Sequence, residues 1–183
     1  NHLEFNPSGT RFMFLHRWRK NNIGYSRLFT ANLDGTGLYC LADDQMVSHS
    51  CWKNDEEILC WARRRNEGDH YFCFTDETPD FKMIGGGQLD TDGHPSFSPC
   101  GRYILTDTYP DRFRMSSLVV WDTQEKRKHC LGRFYAPFKY SGEIRCDLHP
   151  RWSRDGKMIC FDSVHEGNRQ QYIIDFQLNH SES

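Results

Sequence analysis

Three observations predict an all-β chain built as a β-propeller of four-stranded antiparallel blades. A short motif recurs four times, alanine is scarce, and aromatic residues are abundant. Ala occurs only 4 times in 183 residues, against 13 Phe, 8 Tyr and 5 Trp, so strong helix formers are thin and strand formers plentiful. The motif places a histidine three residues before an aromatic and a turn directly after it. Its copies begin at His2, His49, His94 and His149, with Phe5, Trp52, Phe97 and Trp152 as the aromatics.

Each motif predicts the first strand of a blade. An apolar second strand follows it, over 11–15, 58–62, 103–106 and 158–161. Between the two, Gly9, Gly101 and Gly156 stand where a tight turn demands positive φ, whereas the second unit has Asn54-Asp55-Glu56 instead. Third strands are expected over 25–33, 70–75, 117–122 and 170–175. In three units a turn and a fourth strand come next, most clearly Asp34-Gly35-Thr36-Gly37 leading into 38–41. The units divide at about 1–44, 45–90, 91–143 and 144–183. Gly85-Gly86-Gly87 lacks the Lys-Ser/Thr of a phosphate loop and is expected to be a turn between blades.

With the aromatic and the Ser-x-Asp-Gly-Lys of 153–157, and its variants at 6–9 and 98–102, the repeat resembles that of TolB-type propellers. The resemblance covers essentially the whole chain and is weakest in the second unit. The fourth unit ends after its third strand, and residue 1 starts too late to supply the missing one. A propeller of six or seven blades with its N-terminal blades missing is therefore expected. A complete four-bladed ring would leave an exposed edge on its last blade; dimerisation through open blade edges is the other consequence of such a gap.

Composition excludes several function classes. Lys and Arg total 23 against 25 Asp and Glu, a formal charge of −2, so no bulk polycation awaits nucleic acid or anionic lipid. The longest apolar runs, four to six residues, are far short of a membrane span, and the N-terminus has no secretory pattern. The eight cysteines contain no Cys-x-x-Cys pair, and several sit inside strand-like runs, as Cys60 and Cys160 do. Free thiols and a cytoplasmic, reducing location are expected. No Gly-x-Ser-x-Gly elbow occurs.

Function must then be local. Equivalent positions in a rotationally repeated fold converge on its axis, so His2, His49, His94 and His149 should crowd one mouth of the channel. Neutral imidazoles from separate strands are usual ligands of Zn, Mn, Fe or Ni, and Asp147 adds a carboxylate two residues before His149. A bound anion and simple packing between blades are the other readings of this row. The loops between second and third strands should ring the same mouth. They carry Arg17, Trp18 and Arg19; Arg63, Arg64 and Arg65; Arg112, Phe113 and Arg114; and His165 and Arg169. Arginine interleaved with Trp18, Tyr109 and Phe113 offers forks for carboxylates beside flat apolar platforms, a surface suited to an acidic oligosaccharide. Solvated loops are the bland reading of the same residues.

His-Pro-x-aromatic at His94 and His149 also resembles the oligogalacturonate lyases, seven-bladed propellers that cleave uronate oligomers by β-elimination around a manganese-type ion. The resemblance implies a divalent metal, Mn first, on His94 and His149, with His49 as a further candidate; Asp147 is a candidate from its place beside His149 alone. It also implies an arginine base, for which Arg17 and Arg63 stand in the expected loops. His165 and His16 are imidazole alternatives. Arg19, Arg65, Arg112, Arg114 and Arg169 are the candidate substrate clamps. One departure is plain: the family's His-x-His preceded by Gln is here Asp147-Leu148-His149, with Ile144 in place of the Gln. A non-catalytic platform for a protein or glycan is the competing function, since fold alone does not confer activity.

Overall fold

In the computed structural model, which describes residues 2–177, four antiparallel sheets form the blades of a propeller. The first comprises β1 (Glu4–Phe5), β2 (Arg11–Lys20), β3 (Ile23–Asn32) and β4 (Tyr39–Ala42). The second comprises β5 (Val47–Trp52), β6 (Glu57–Arg64), β7 (Gly68–Thr75) and β8 (Phe81–Ile84). The third has β9 (Ser96–Phe97), β10 (Tyr103–Asp107), β11 (Met115–Asp122) and β12 (Arg127–Tyr135). The fourth has three strands among the described residues, β13 (Arg151–Trp152), β14 (Met158–Ser163) and β15 (Gln170–Asp175). Strands pair in chain order within each sheet, and β1, β5, β9 and β13 lie side by side as the inner strands.

The expected turns hold the first two strands of three blades together. Gly9, Gly101 and Gly156 have φ of +68°, +72° and +71° and donate their N–H groups to the carbonyls of Asn6, Ser98 and Ser153. Blade two manages without glycine because the Asn54 carboxamide oxygen accepts from the N–H groups of Glu56 and Glu57, closing the turn with a side chain. The Gly85 segment is a turn as well, with Gly85 and Gly87 at positive φ.

Period-two alternation explains how one strand serves two interfaces. In β6, Ile58, Cys60 and Ala62 pack toward blade one with Met13, Leu15 and Leu28, while Leu59 and Trp61 pack toward blade three with Ile104 and Val119. Leu105, Leu118 and Val120 continue the pattern against Ile159 and Phe161 of blade four. The motif aromatics stitch blades together through their indoles: Trp52 Nε1 donates to the Glu4 carbonyl and Trp152 Nε1 to that of Ser96. These two acceptors occupy the same register position on the inner strands of blades one and three.

All eight cysteines are free thiols. Burial pushes Cys51 and Cys60 well above the usual thiol range and raises Cys73 to about 11, so these three are small apolar side chains rather than nucleophiles. No helix among the described residues is long and apolar enough to cross a membrane.

Candidate metal centre

The four motif histidines form a row across the inner strands. Ring centroids are 5.6 Å apart for His2 and His49, 4.2 Å for His49 and His94, and 3.6 Å for His94 and His149. His94, Asp147 and His149 each bring a ligand atom within 4.8 Å of the others, the geometry of a three-donor metal site. The donors fit a divalent cation: two imidazoles and a carboxylate, with His49 alongside and two more carboxylates, Asp92 and Asp107, behind them. A cluster so rich in carboxylates disfavours a bound anion.

Local backbone structure places these groups. Gly93 packs so tightly that a Cβ there would meet the Asp107 carbonyl oxygen at 1.9 Å, so only glycine lets the chain approach at this point. His149 has a φ of +41°, a conformation that L residues seldom adopt, and its N–H donates to Asp107 Oδ2 at 3.0 Å. Asp107, 1% exposed, also accepts from the His94 backbone at 2.7 Å and from His94 Nδ1 at 2.9 Å. His49 Nδ1 lies 3.1 Å from Asp92 Oδ1, while Ser48 Oγ donates to Asp92 Oδ2 at 2.6 Å.

The electrostatics follow. Burial works against a charged His94 ring, but the Asp107 carboxylate outweighs it and raises the ring above its ordinary value. Burial also opposes the Asp107 charge, yet His94 and the two backbone N–H groups hold it below the usual carboxylate range. Burial and the neighbouring His94 lower His149; burial and Arg17 lower His2. Tyr109 sits 6.3 Å from His49 and 6.0 Å from His94, ring to ring, and is pushed up to about 12 by burial and Asp92. Arg145 stacks over Tyr109 at 4.6 Å and forks onto both Asp147 oxygens at 2.5 and 2.8 Å.

The arginines separate into distinct settings. Arg17, Arg19 and Arg63 lie on strands β2 and β6, a correction to their expected place in loops; the two hairpins simply extend farther, and β2 runs to Lys20. Arg17 and Arg19 line a hollow of about 570 Å³ with Trp18 and Tyr25, and the Arg17 charge helps to lower His2. Arg63 forks onto Asp69, which raises it and fixes its proton more firmly. Arg65 lines a second hollow with Asp43 and Asp44. Arg112 stacks on Phe113. Arg114 donates to the carbonyls of Ala136 and Tyr140, and Arg169 to those of Ile144 and Arg145, so both tie down backbone. His165 Nδ1 bonds Ser163 Oγ, and its ring packs on Phe134 and Tyr172 between blades three and four. His16 stacks on Trp18.

Asp92, Asp107 and Arg145 were not anticipated as parts of the site, and Tyr109 was expected only as a flat platform beside the arginines. One signal for Asp107 was available: in the register of the second strands it stands where blades one and two have Leu15 and Trp61, a carboxylate at a packing position.

No family model matches the chain, and no curated protein matches it in sequence. Solved structures do match. TolB from Acinetobacter baumannii superposes with a TM-score of 0.69 at 18% identity, over 92% of this chain and 39% of that one. An oligogalacturonate lyase in complex with manganese gives 0.55 at 12%, over 97% and 65%. The β-propeller domain of the Trilobed protease from Pyrococcus furiosus gives 0.60 at 12%, over 96% and 55%. At these identities the likeness is one of fold, shared by lyases, peptidases and TolB, and the chain spans between 39% and 65% of the lengths of these three structures.

Proposed function

We propose that the chain binds a divalent metal on His94, Asp147 and His149, with His49 adjacent, as part of a lyase that cleaves uronate-containing oligosaccharides by β-elimination. The observation that carries this reading is the convergence of those donors from two blades within 4.8 Å. A manganese-bound lyase of the same fold supports Mn as the first metal to test, with Zn, Fe and Ni next.

Elimination across a uronate removes the proton on C5, forms a double bond between C4 and C5 and breaks the C4–O bond, the leaving sugar oxygen taking a proton from water. A divalent ion in the site supplies Lewis-acid neutralisation of the substrate carboxylate, the charge stabilisation that such a reaction needs most. Arg17, charged and beside the row, clamps a neighbouring uronate carboxylate, and Arg19 extends the clamp along the Trp18 and Tyr25 surface. The His2 ring, held toward its neutral form by burial and Arg17, offers a lone pair to the C5 proton.

The test is elemental analysis of purified protein beside a His94→Ala/His149→Ala double variant, followed by polyuronide assays read as ultraviolet absorbance of the unsaturated product. Near-stoichiometric metal lost in the variant, with turnover in the wild type, supports the reading. Absence of metal after incubation with Mn or Zn refutes it and leaves a binding platform with a structural histidine row.

A further inference from the structure

Two imidazoles of the row share a device that the proposed metal does not require by itself. Each turns its Nδ1 onto a carboxylate of its own, His94 onto Asp107 and His49 onto Asp92. A carboxylate only accepts hydrogen bonds, so the ring nitrogen facing it carries the hydrogen, and in the neutral ring Nε2 keeps the lone pair. The carboxylates come from different places: Asp107 ends strand β10, and Asp92 lies in the linker between β8 and β9. The repeat alone therefore does not explain why both exist.

Asp107 does more than orient a ring. Its two oxygens accept from the His94 backbone, from His94 Nδ1 and from the His149 backbone, so one buried carboxylate joins a ligand of blade three to a ligand of blade four. It holds His149 at the φ of +41° that its position demands. Without Asp107 both groups would lose their common anchor, although neither would lose its own donor atom.

We infer that Asp107 and Asp92 are positioning residues that fix the Nδ1–H tautomer of His94 and His49 and so present Nε2 to a divalent ion at the axis. This rests on the metal reading above. Carboxylates behind metal-bound histidines raise ligand basicity, and their loss costs about 10- to 100-fold in metal affinity.

The test uses Asp107→Asn and Asp92→Asn, nearly isosteric changes that leave every proposed ligand in place, with Asp162→Asn as a control. Asp162 has the same register position in blade four, but its carboxylate pairs with Arg151 rather than with a ring of the row. Mn and Zn affinities are measured by competition with a chelating dye, and histidine tautomers by proton–nitrogen correlation NMR on metal-free protein. The expected result is an Nδ1–H tautomer for His94 and His49 in the wild type, mixed tautomers at the altered site, and 10- to 100-fold weaker binding for each of the first two variants. Asp162→Asn should bind as the wild type does.

Equal affinities in all variants, with the wild type binding metal, would overturn the positioning role and leave the metal site standing. A wild type that binds neither Mn nor Zn would overturn both. Should Asp107→Asn fail to fold, Asp92→Asn decides the matter, because Asp92 is less buried and spans no blade interface of this kind.

Discussion

The motif aromatic offers a direct test of how the blades are held together, because the same repeat position is buried in blade two and open in blade one. Trp52 is 7% exposed and Phe5 is 55% exposed. A Trp buried to this extent removes about 200 Å² from water, which at roughly 25 cal/mol per Å² is worth about 5 kcal/mol as an upper bound. Large-to-small changes of this kind cost ~3–5 kcal/mol. Trp52→Ala should fall in that range and also remove the indole bond that the Glu4 carbonyl accepts at 3.2 Å. Trp52→Phe isolates the smaller share, about 1–2 kcal/mol, from the lost hydrogen bond and partial volume. Phe5→Ala should cost only about 1 kcal/mol, since the ring keeps one edge contact, with Phe12 at 6.2 Å.

Urea denaturation of the three variants reads these differences. With a slope of about 2 kcal/mol per molar, a difference of ~3 kcal/mol between Trp52→Ala and Phe5→Ala separates their midpoints by roughly 1.5 M. Equal losses at the two positions would refute the reasoning. They would mean that the blade-one face bearing Phe5, Phe12 and Phe14 is covered in solution.

Three further outcomes follow from the same geometry. Gly93→Ala should lower the melting temperature and weaken Mn or Zn binding together, since a methyl group there collides with the Asp107 backbone; overpacking of this kind costs about 1–3 kcal/mol, measurable by calorimetry and metal titration. Burial opposes the charge on Glu57, but Lys53 and Lys82 outweigh it and hold the carboxyl at about 2; burial likewise opposes the Asp122 charge, and Arg102 with two backbone N–H groups brings it to about 2. Both values lie below the ordinary ones of 4.5 and 3.8, so the stabilisation is present above those values and is lost as pH falls toward 2. Melting temperatures across that window should drop, and less steeply in Lys82→Ala. Arg114→Lys should speed amide exchange over residues 136–140, because a lysine cannot hold the carbonyls of Ala136 and Tyr140 as the guanidinium fork does.

The architecture was readable because it repeats. Histidine, aromatic, turn glycine and apolar strand recur in register, and the turn glycines take the positive φ that their spacing predicts. Convergence of the histidines was legible for the same reason. Strand length was not: β2 continues through Arg17 to Lys20 because Trp18 pairs with Tyr25 across a hairpin, and cross-strand aromatic stacking overrides the polar appearance of the segment. The partners of the arginines were also out of reach. Asp69 lies six residues from Arg63, but Ala136 and Tyr140 lie more than twenty from Arg114, and a carbonyl acceptor leaves no trace in residue identity.

The candidate centre shows how little must change for a packing interface to become a chemical site. Leu15 and Trp61 contribute apolar surface to interfaces between blades at the register position that Asp107 takes in blade three. A carboxylate there is costly to bury, and it persists because three N–H groups, two from the backbone and one from the His94 ring, converge on its oxygens. Those same bonds reach the neighbouring blade and hold His149 in its left-handed conformation. The bonds that offset the burial cost also set the geometry of the row, so stability and metal affinity are coupled here, and variants differ in how their losses divide between the two. Asp107→Asn keeps an acceptor oxygen for part of this set and loses the charge, so it should weaken metal binding more than folding. His94→Ala removes a ring donor to a buried carboxylate and should damage both, and the ratio of the two losses across these variants measures how far the carboxylate serves the site rather than the fold.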